Sequence, residues 1–143
     1  MKILVCGGAG FIGSAFIRNY FKNHPNDEIV NMDSLTIGSN LKNLEEIDQN
    51  QNYQFVKEDI RNQNVVNKLV NDVDVVVNFA AESHVDRSIA NPKPFIETNI
   101  FGTYSLLEAI KKYNKLFICL LYTSDAADDS LRVDLGGRRI IKK

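Results

Sequence analysis

The sequence predicts an α/β fold, a doubly wound parallel sheet with helices on both faces. Three observations carry this. Short runs rich in branched apolar residues alternate with longer stretches of helical spacing. One run, VDVVVNFAA, is apolar almost throughout, as a central parallel strand covered on both faces must be. A glycine-rich turn, CGGAGFIG, joins the first run to the first helical stretch.

Taken in order, KILVC is a strand, by its branched and apolar residues and the glycine that stops it. GFIGSAFIRNYFKN has helical spacing, with Phe11, Ala15, Ile17 and Phe21 near one face. HPNDE is a turn, and EIVNMD is a second strand. SLTIGSN is a polar loop, and LKNLEEI makes one or two helical turns. YQFVKEDI is a third strand, NVVNKLV a short helix with its apolar residues on one side, and VDVVVNFAA the fourth strand. Pro92 and Pro94 mark a helix start, and PFIETNIFGTYSLLEAIKKY runs as helix to about Tyr113. On that helix Ile96, Ile100, Tyr104, Leu107 and Ile110 share one face, read first as a core face. KLFI begins a fifth strand, and the sheet is expected to be truncated after it starts. Alternation at this spacing builds right-handed βαβ units. No internal repeat or low-complexity linker interrupts it.

The bulk properties bound the function. A chain of 143 residues fits one domain or part of a larger one, and 44% hydrophobic with 24% charged residues is a globular composition. Net charge is -1 without a basic stripe, which argues against a nucleic-acid partner. No apolar run reaches the roughly 18 residues of a spanning helix, so no membrane role is expected. MKILVCGG enters a strand directly, with no apolar signal region and cleavage site. Cys6 and Cys119 make no disulfide framework, and a cytoplasmic location is the default. No His/Cys/Asp spacing suggests a metal site.

The glycine turn carries the chemistry. Gly7, Gly10 and Gly13 follow a GxxGxxG spacing between strand and helix. A side chain there would hold the backbone away from a pyrophosphate, and the helix start aims free N–H groups at the phosphates. The plainer alternative is a tight turn that packs helix on strand. Asp33 ends the second strand, 20 residues after Gly13. A carboxylate there can accept both ribose hydroxyls of an adenosine and would repel a 2′-phosphate. No arginine follows in SLTIGSN to hold one, so a Rossmann-type domain binding NAD rather than NADP is favoured. Asp33 as an ordinary strand-end turn residue is the alternative. Asp59 and Ile60 end the third strand where an adenine would lie.

Longer stretches are more specific. MKILVCGGAGFIGSAF, MDSLTIGSNL, VKEDI, NFAAESHVDRSI and FIETNIFGTYSLLEA resemble the N-terminal part of the dTDP-glucose 4,6-dehydratase family of extended short-chain dehydrogenases/reductases. The resemblance covers residues 1–118. GGAGFIG is shared across the superfamily; AAESHVDRSI with the loop DSLT discriminates. The family's chemistry implies that C4 of the glucose is oxidised by bound NAD, water is lost across C5 and C6, and the hydride returns to C6. The resemblance places Phe11 and Ile12 against the pyrophosphate, with Gly7, Gly10 and Gly13 as the turn. It places Asp33, Ser34, Leu35 and Thr36 at the ribose, and Asp59 and Ile60 at the adenine. Phe79, Ala80, Ala81, Glu82 and Ser83 lead to the nicotinamide, Ser83 also faces the substrate dTDP-glucose, and Thr98 reaches the cofactor from the long helix. Homodimerisation of the parent protein is implied as well.

Cys6 stands where the family usually has threonine and Phe79 where leucine is common; both read as packing changes. His84 reads as part of a hydrogen-bonded structural turn rather than a chemical group, and His24 as a surface turn. Another nucleotide-sugar epimerase or decarboxylase is the alternative within the superfamily; a non-catalytic NAD-binding module is the alternative outside it.

The family's catalytic Thr-Asp-Glu cluster and Tyr-x-x-x-Lys pair lie after the fifth strand, where this sequence turns to CLLYTSDAADD. Tyr122 has Ala126 four residues on, not lysine, so no catalytic residue is assigned and the chain is expected to lack dehydratase activity. Residues 1–118 contain 16 asparagines, and residues 119–143 contain none. Arginine occurs three times in each part, as if an AT-rich coding sequence had become GC-richer. CLLYTSDAADD resembles an in-frame translation of a transposase-type sequencing adapter, and VDLGGRRIIKK its outer primer segment. Residues 119–143 are therefore expected to be a non-native tail behind a partial NAD-binding domain of residues 1–118. Asp125, Asp128 and Asp129 are then no metal site, and Gly136, Gly137, Arg138 and Arg139 no phosphate loop. A sheet stopping at its fifth strand would expose an apolar edge, so poor stability is expected.

Overall fold

Alternate residues of β1 (Lys2–Cys6) enter two different cores, and the domain is built around that strand. The computed structural model describes residues 1–83 and 85–120. Ile3 and Val5 face one side of the sheet and Leu4 and Cys6 the other, as the two-residue period of a strand requires. The strands β2 (Glu28–Asp33), β3 (Tyr53–Lys57), β4 (Val75–Asn78) and β5 (Leu116–Cys119) join it in one sheet. The order is β3-β2-β1-β4-β5, with parallel pairing throughout. In register, Leu4 lies between Val30 and Val76. This is the expected doubly wound Rossmann-type sheet, with its switch point between β1 and β4.

Helices cover both faces. α1 (Phe11–Asn23) and a 3-10 helix (Leu41–Ile47) sit on one side, where Ile17, Phe21 and Leu44 meet Ile3, Val5, Ile29 and Val77. α2 (Gln63–Asn71) and the long helical run of residues 93–113 sit on the other. There Val66, Val70, Leu106 and Ala109 meet Leu4, Val30 and Val76.

Several expectations need correction. On α1 the buried face is Gly13, Ser14, Ile17 and Phe21, while Phe11 is 86% exposed and Ala15 also faces out. At about 100° per residue Phe11 and Ala15 point about 120° away from the direction of Ile17 and Phe21, so the two pairs do not share a face. β4 stops at Asn78 rather than running through the alanines. The Asn78 side chain accepts the N–H of Ala80, which bends the chain out of the sheet. The stretch after Ser83, read as a turn, contains α3 (Val85–Ala90). His84 lies outside the described residues.

The long helix is composite. α4 (Lys93–Phe95) leads into a π-helical segment, Ile96–Gly102, and then α5 (Thr103–Tyr113). Its core side is made of small residues with Leu106: Gly102, Thr103, Ser105 and Ala109 are buried. Ile96, Ile100, Tyr104 and Leu107, read as a core face, are exposed, with Ile100 at 59% and Tyr104 at 57%. Small residues let the helix approach the sheet side closely; Gly102 sits against Ile60. Ile110 alone of the five packs on the core. The helix ends at Asn114 in the left-handed region, φ 52°, and the Lys115 N–H closes on the Ile110 carbonyl.

Cys6 is fully buried, and burial pushes its thiol well above the ordinary range, so it is a packing residue and not a nucleophile. Cys119 closes β5 opposite Asn78, whose amide donates to its Sγ at 3.7 Å. The remainder of the expected tail, residues 121–143, lies outside the described residues. That includes Tyr122, Asp125, Asp128, Asp129 and the glycine–arginine end. Among the described residues no helix is long and apolar enough to cross a membrane, and no His/Cys/Asp/Glu group could hold a metal.

Candidate functional site

The carboxyl ends of β1 to β4 open into one cavity of about 410 Å³. Doubly wound sheets bind ligands there, because neighbouring crossovers depart to opposite faces and leave a crevice. Sixteen of the seventeen residues expected at the site line it: Gly7, Gly10, Phe11, Ile12, Gly13, Asp33, Ser34, Thr36, Asp59, Ile60, Phe79, Ala80, Ala81, Glu82, Ser83 and Thr98. Leu35 does not. Its backbone is in the left-handed region at φ 55°, and its N–H donates to Asp33, so it shapes the site from behind.

The glycine turn has no room for side chains. Gly7 has φ +75°, and a Cβ there would lie 2.5 Å from the backbone nitrogen of Ala80. A Cβ on Gly13 would collide with the carbonyl oxygen of Gly7. Gly10 caps α1 without a side-chain bond, and the first turn holds no acidic residue. The N–H groups of that turn are thus offered toward the cavity with a favourable helix dipole for a negative group.

Asp33 faces this turn and is only 5% exposed. Its Oδ2 accepts the Ala9 N–H at 2.9 Å, and its Oδ1 accepts the Leu35 N–H at 2.8 Å and the Ser39 hydroxyl at 2.9 Å. The Ala9 carbonyl in turn accepts the Asn40 N–H at 2.9 Å and the Asn43 amide at 3.3 Å. Strand end and glycine turn therefore hold each other from both sides.

At the third strand end, Arg61 donates to both carboxylate oxygens of Asp59, at 3.0 and 2.8 Å, and to Glu97 at 2.7 Å. Burial opposes ionisation of Asp59, yet the Arg61 bonds outweigh it and hold the carboxyl below its ordinary 3.8. At the fourth strand end, Glu82 and Asn99 exchange two bonds. The Glu82 N–H donates to the Asn99 side chain at 2.8 Å, and the Asn99 amide donates to the Glu82 carbonyl at 2.9 Å. This clasp fixes the loop of residues 79–83 against the π-helical segment that carries Thr98. Phe79 is wedged by Phe16, with ring centroids 5.2 Å apart.

Ser39, Glu58, Arg61 and Pro94 also line the cavity, and Asn99 supports it, none of them anticipated. No spacing rule marks them: Ser39 and Glu58 are held by Asp33, Arg61 by Glu97 and Asn99 by Glu82. Tyr53 and Lys57 have the Tyr-x-x-x-Lys spacing, but on a strand. The Tyr53 hydroxyl accepts from Asn31 at 2.9 Å, and neither residue lines the cavity.

Comparison with known proteins agrees with this geometry. The GDP-mannose 4,6 dehydratase family model matches residues 4–126. The chain is 50% identical over 115 residues to a dTDP-glucose 4,6-dehydratase of Salmonella typhimurium, covering 79% of this chain and 32% of that protein. It is 50% identical over 109 residues to the low-salt glycan biosynthesis protein Agl12 of Haloferax volcanii, covering 76% and 35%. Among solved structures, DesIV, a dTDP-glucose 4,6-dehydratase of Streptomyces venezuelae with NAD bound, superposes with a TM-score of 0.77 at 44% identity, covering 80% of this chain and 37% of that one. A UDP-glucose 4-epimerase of Thermotoga maritima with UDP-glucose gives 0.72 at 32% identity, covering 83% and 37%. The chain spans about a third of the length of the curated relatives it matches. Sheet order, glycine turn and family match agree: the chain belongs to the GDP-mannose 4,6 dehydratase family.

Proposed function

We infer that the chain supplies the NAD-binding part of a dTDP-glucose 4,6-dehydratase, a lyase of nucleotide-sugar metabolism. The observation that carries this is the glycine turn without side-chain space facing a buried carboxylate across one cavity. The residues present fit the cofactor: backbone N–H groups at the start of α1 for the pyrophosphate, Asp33 for the adenosine ribose, and Asp59 and Ile60 beside the adenine. Phe79, Ala80, Ala81, Glu82, Ser83 and Thr98 form the wall toward the nicotinamide, with Ser83 open to the sugar nucleotide. NAD, when bound, supplies the hydride acceptor for C4 of glucose and the donor for C6. The protein residues at the strand ends orient it.

The epimerase reading is favoured by one observation, the superposition on the Thermotoga enzyme. The higher identity to dTDP-glucose dehydratases and the stretch AAESHVDRSI weigh against it. The exposed stripe Ile96, Ile100, Tyr104 and Leu107 supports homodimerisation of the parent protein, since four large apolar side chains in a row on one helix suit a second helix face. A cytoplasmic setting completes the reading.

The chain itself is read as catalytically incomplete, with residues 119–143 foreign to the gene. Purified chain is expected to bind NAD at least tenfold more tightly than NADP and to form no 4-keto-6-deoxy sugar from dTDP-glucose. Titration and product chromatography check both, and turnover by the chain would refute the second point. A long read of the source DNA across the codon for Ile118 is expected to continue into a strand ending in Thr-Asp-Glu. A read that continues as CLLYTSDAADD would overturn the adapter interpretation.

A further inference from the structure

We propose that Ser39 reads the adenosine ribose jointly with Asp33, and that this pair sets the preference for an unphosphorylated ribose. The inference rests on the NAD reading and deepens it. A carboxylate oxygen offers two lone-pair directions. Oδ1 of Asp33 has both filled, by the Leu35 N–H and the Ser39 hydroxyl. Among the described residues Oδ2 has one filled, by the Ala9 N–H. Asp33 can therefore accept one ribose hydroxyl and not two.

The second hydroxyl needs another acceptor, and Ser39 is it. Its single proton is spent on Asp33, which leaves its oxygen as an acceptor on the cavity wall. The backbone holds it there. The Ser39 N–H donates to the Thr36 carbonyl at 3.1 Å, Gly38 turns the chain at φ +95°, and the next residue is tied to Ala9. The ribose diol is thus divided, one hydroxyl to Asp33 Oδ2 and the other to Ser39 Oγ. A phosphoester oxygen has no proton to give and would meet two acceptors beside a buried negative charge. That arrangement rejects NADP without any residue dedicated to blocking it.

The test is titration of the full chain and of Ser39→Ala and Ser39→Thr with NAD, NADP, and NAD analogues lacking the 2′- or the 3′-hydroxyl of the adenosine ribose. Ser39→Ala is expected to weaken NAD about 5- to 10-fold, the worth of one part-buried neutral hydrogen bond. The same change should alter one of the two deoxy analogues by less than about 2-fold, since that analogue has already lost the bond. The gap between NAD and NADP should narrow. Ser39→Thr keeps the hydroxyl and should bind NAD within about 2-fold of the unsubstituted chain. Unchanged NAD binding in Ser39→Ala, equal losses for NAD and both analogues, or an equal loss in Ser39→Thr would overturn the assignment of Ser39 alone. An unsubstituted chain that does not bind NAD would overturn the cofactor reading, and this proposal with it.

Discussion

Replacing Gly7 by alanine is expected to abolish NAD binding and to cost about 3 kcal/mol of stability or more. Two effects add. The backbone at φ +75° lies in the left-handed region that L side chains rarely adopt, and the new Cβ would stand 2.5 Å from the Ala80 nitrogen and 2.7 Å from its Cα. Both neighbours are backbone, held by the Phe79 N–H bond to the Cys6 carbonyl and the Ala80 N–H bond to Asn78, so neither can yield cheaply. Gly38 separates the effects: its φ is +95°, yet nothing lies within 4 Å of an added Cβ. Gly38→Ala should therefore show only the conformational cost, about 1 kcal/mol. Thermal melts by circular dichroism, run beside NAD titrations of both variants, make the comparison. Equal melting of the two variants would show that crowding at Ala80 contributes nothing.

Asp33→Asn is expected to be the most damaging change that keeps side-chain size. The carboxylate accepts three bonds on two oxygens. An amide offers one oxygen, so one orientation strands the Ala9 N–H and the other strands the Leu35 N–H, the Ser39 hydroxyl then turning to accept from the NH2. A buried donor left facing an NH2 costs about 1–3 kcal/mol. The Leu35 backbone, at φ 55°, loses its tie when its N–H is the one stranded. NAD affinity should fall more than about tenfold, because the ribose loses a charged acceptor. Unfolding in urea measures the first effect and titration the second. A variant that unfolds and binds like the parent would remove Asp33 from the site. A variant that keeps its stability but loses NAD would place the whole effect on the ligand.

The sheet, its helices and the glycine turn were legible in the chain, because strand and helix periodicity and glycine placement are local properties. KILVC, EIVNMD and VDVVVNFAA read as strands whatever surrounds them, the last running past its true end at Asn78. Asp33 was legible because its distance from the glycine turn is fixed by one βαβ unit. Faces were less secure. Helical spacing grouped Phe11 and Ala15 near one face with Ile17 and Phe21, although helix geometry turns them about 120° away and only the latter two are buried. On the long helix the larger apolar stripe looked like core, but the helix packs through Gly102, Thr103, Ser105, Leu106 and Ala109 instead. Which of two apolar faces meets the sheet depends on how closely the helix can approach, and that depends on residues such as Ile60 from another strand end.

By itself, then, the sequence determined the α/β architecture, the family resemblance and the residue types at the strand ends, since each is written in a window of a few residues. Only the tertiary structure decided that Ser39 closes on Asp33, that Arg61 ties Asp59 to Glu97, and that Asn99 holds Glu82. The Glu97 and Asn99 contacts join strand-end loops to the long helix, and the Ser39 contact is held by Ala9 of the glycine turn, which bonds both Asp33 and Asn40. Their partners meet only after the sheet has brought the strand ends together, and no local pattern encodes a distance that folding creates.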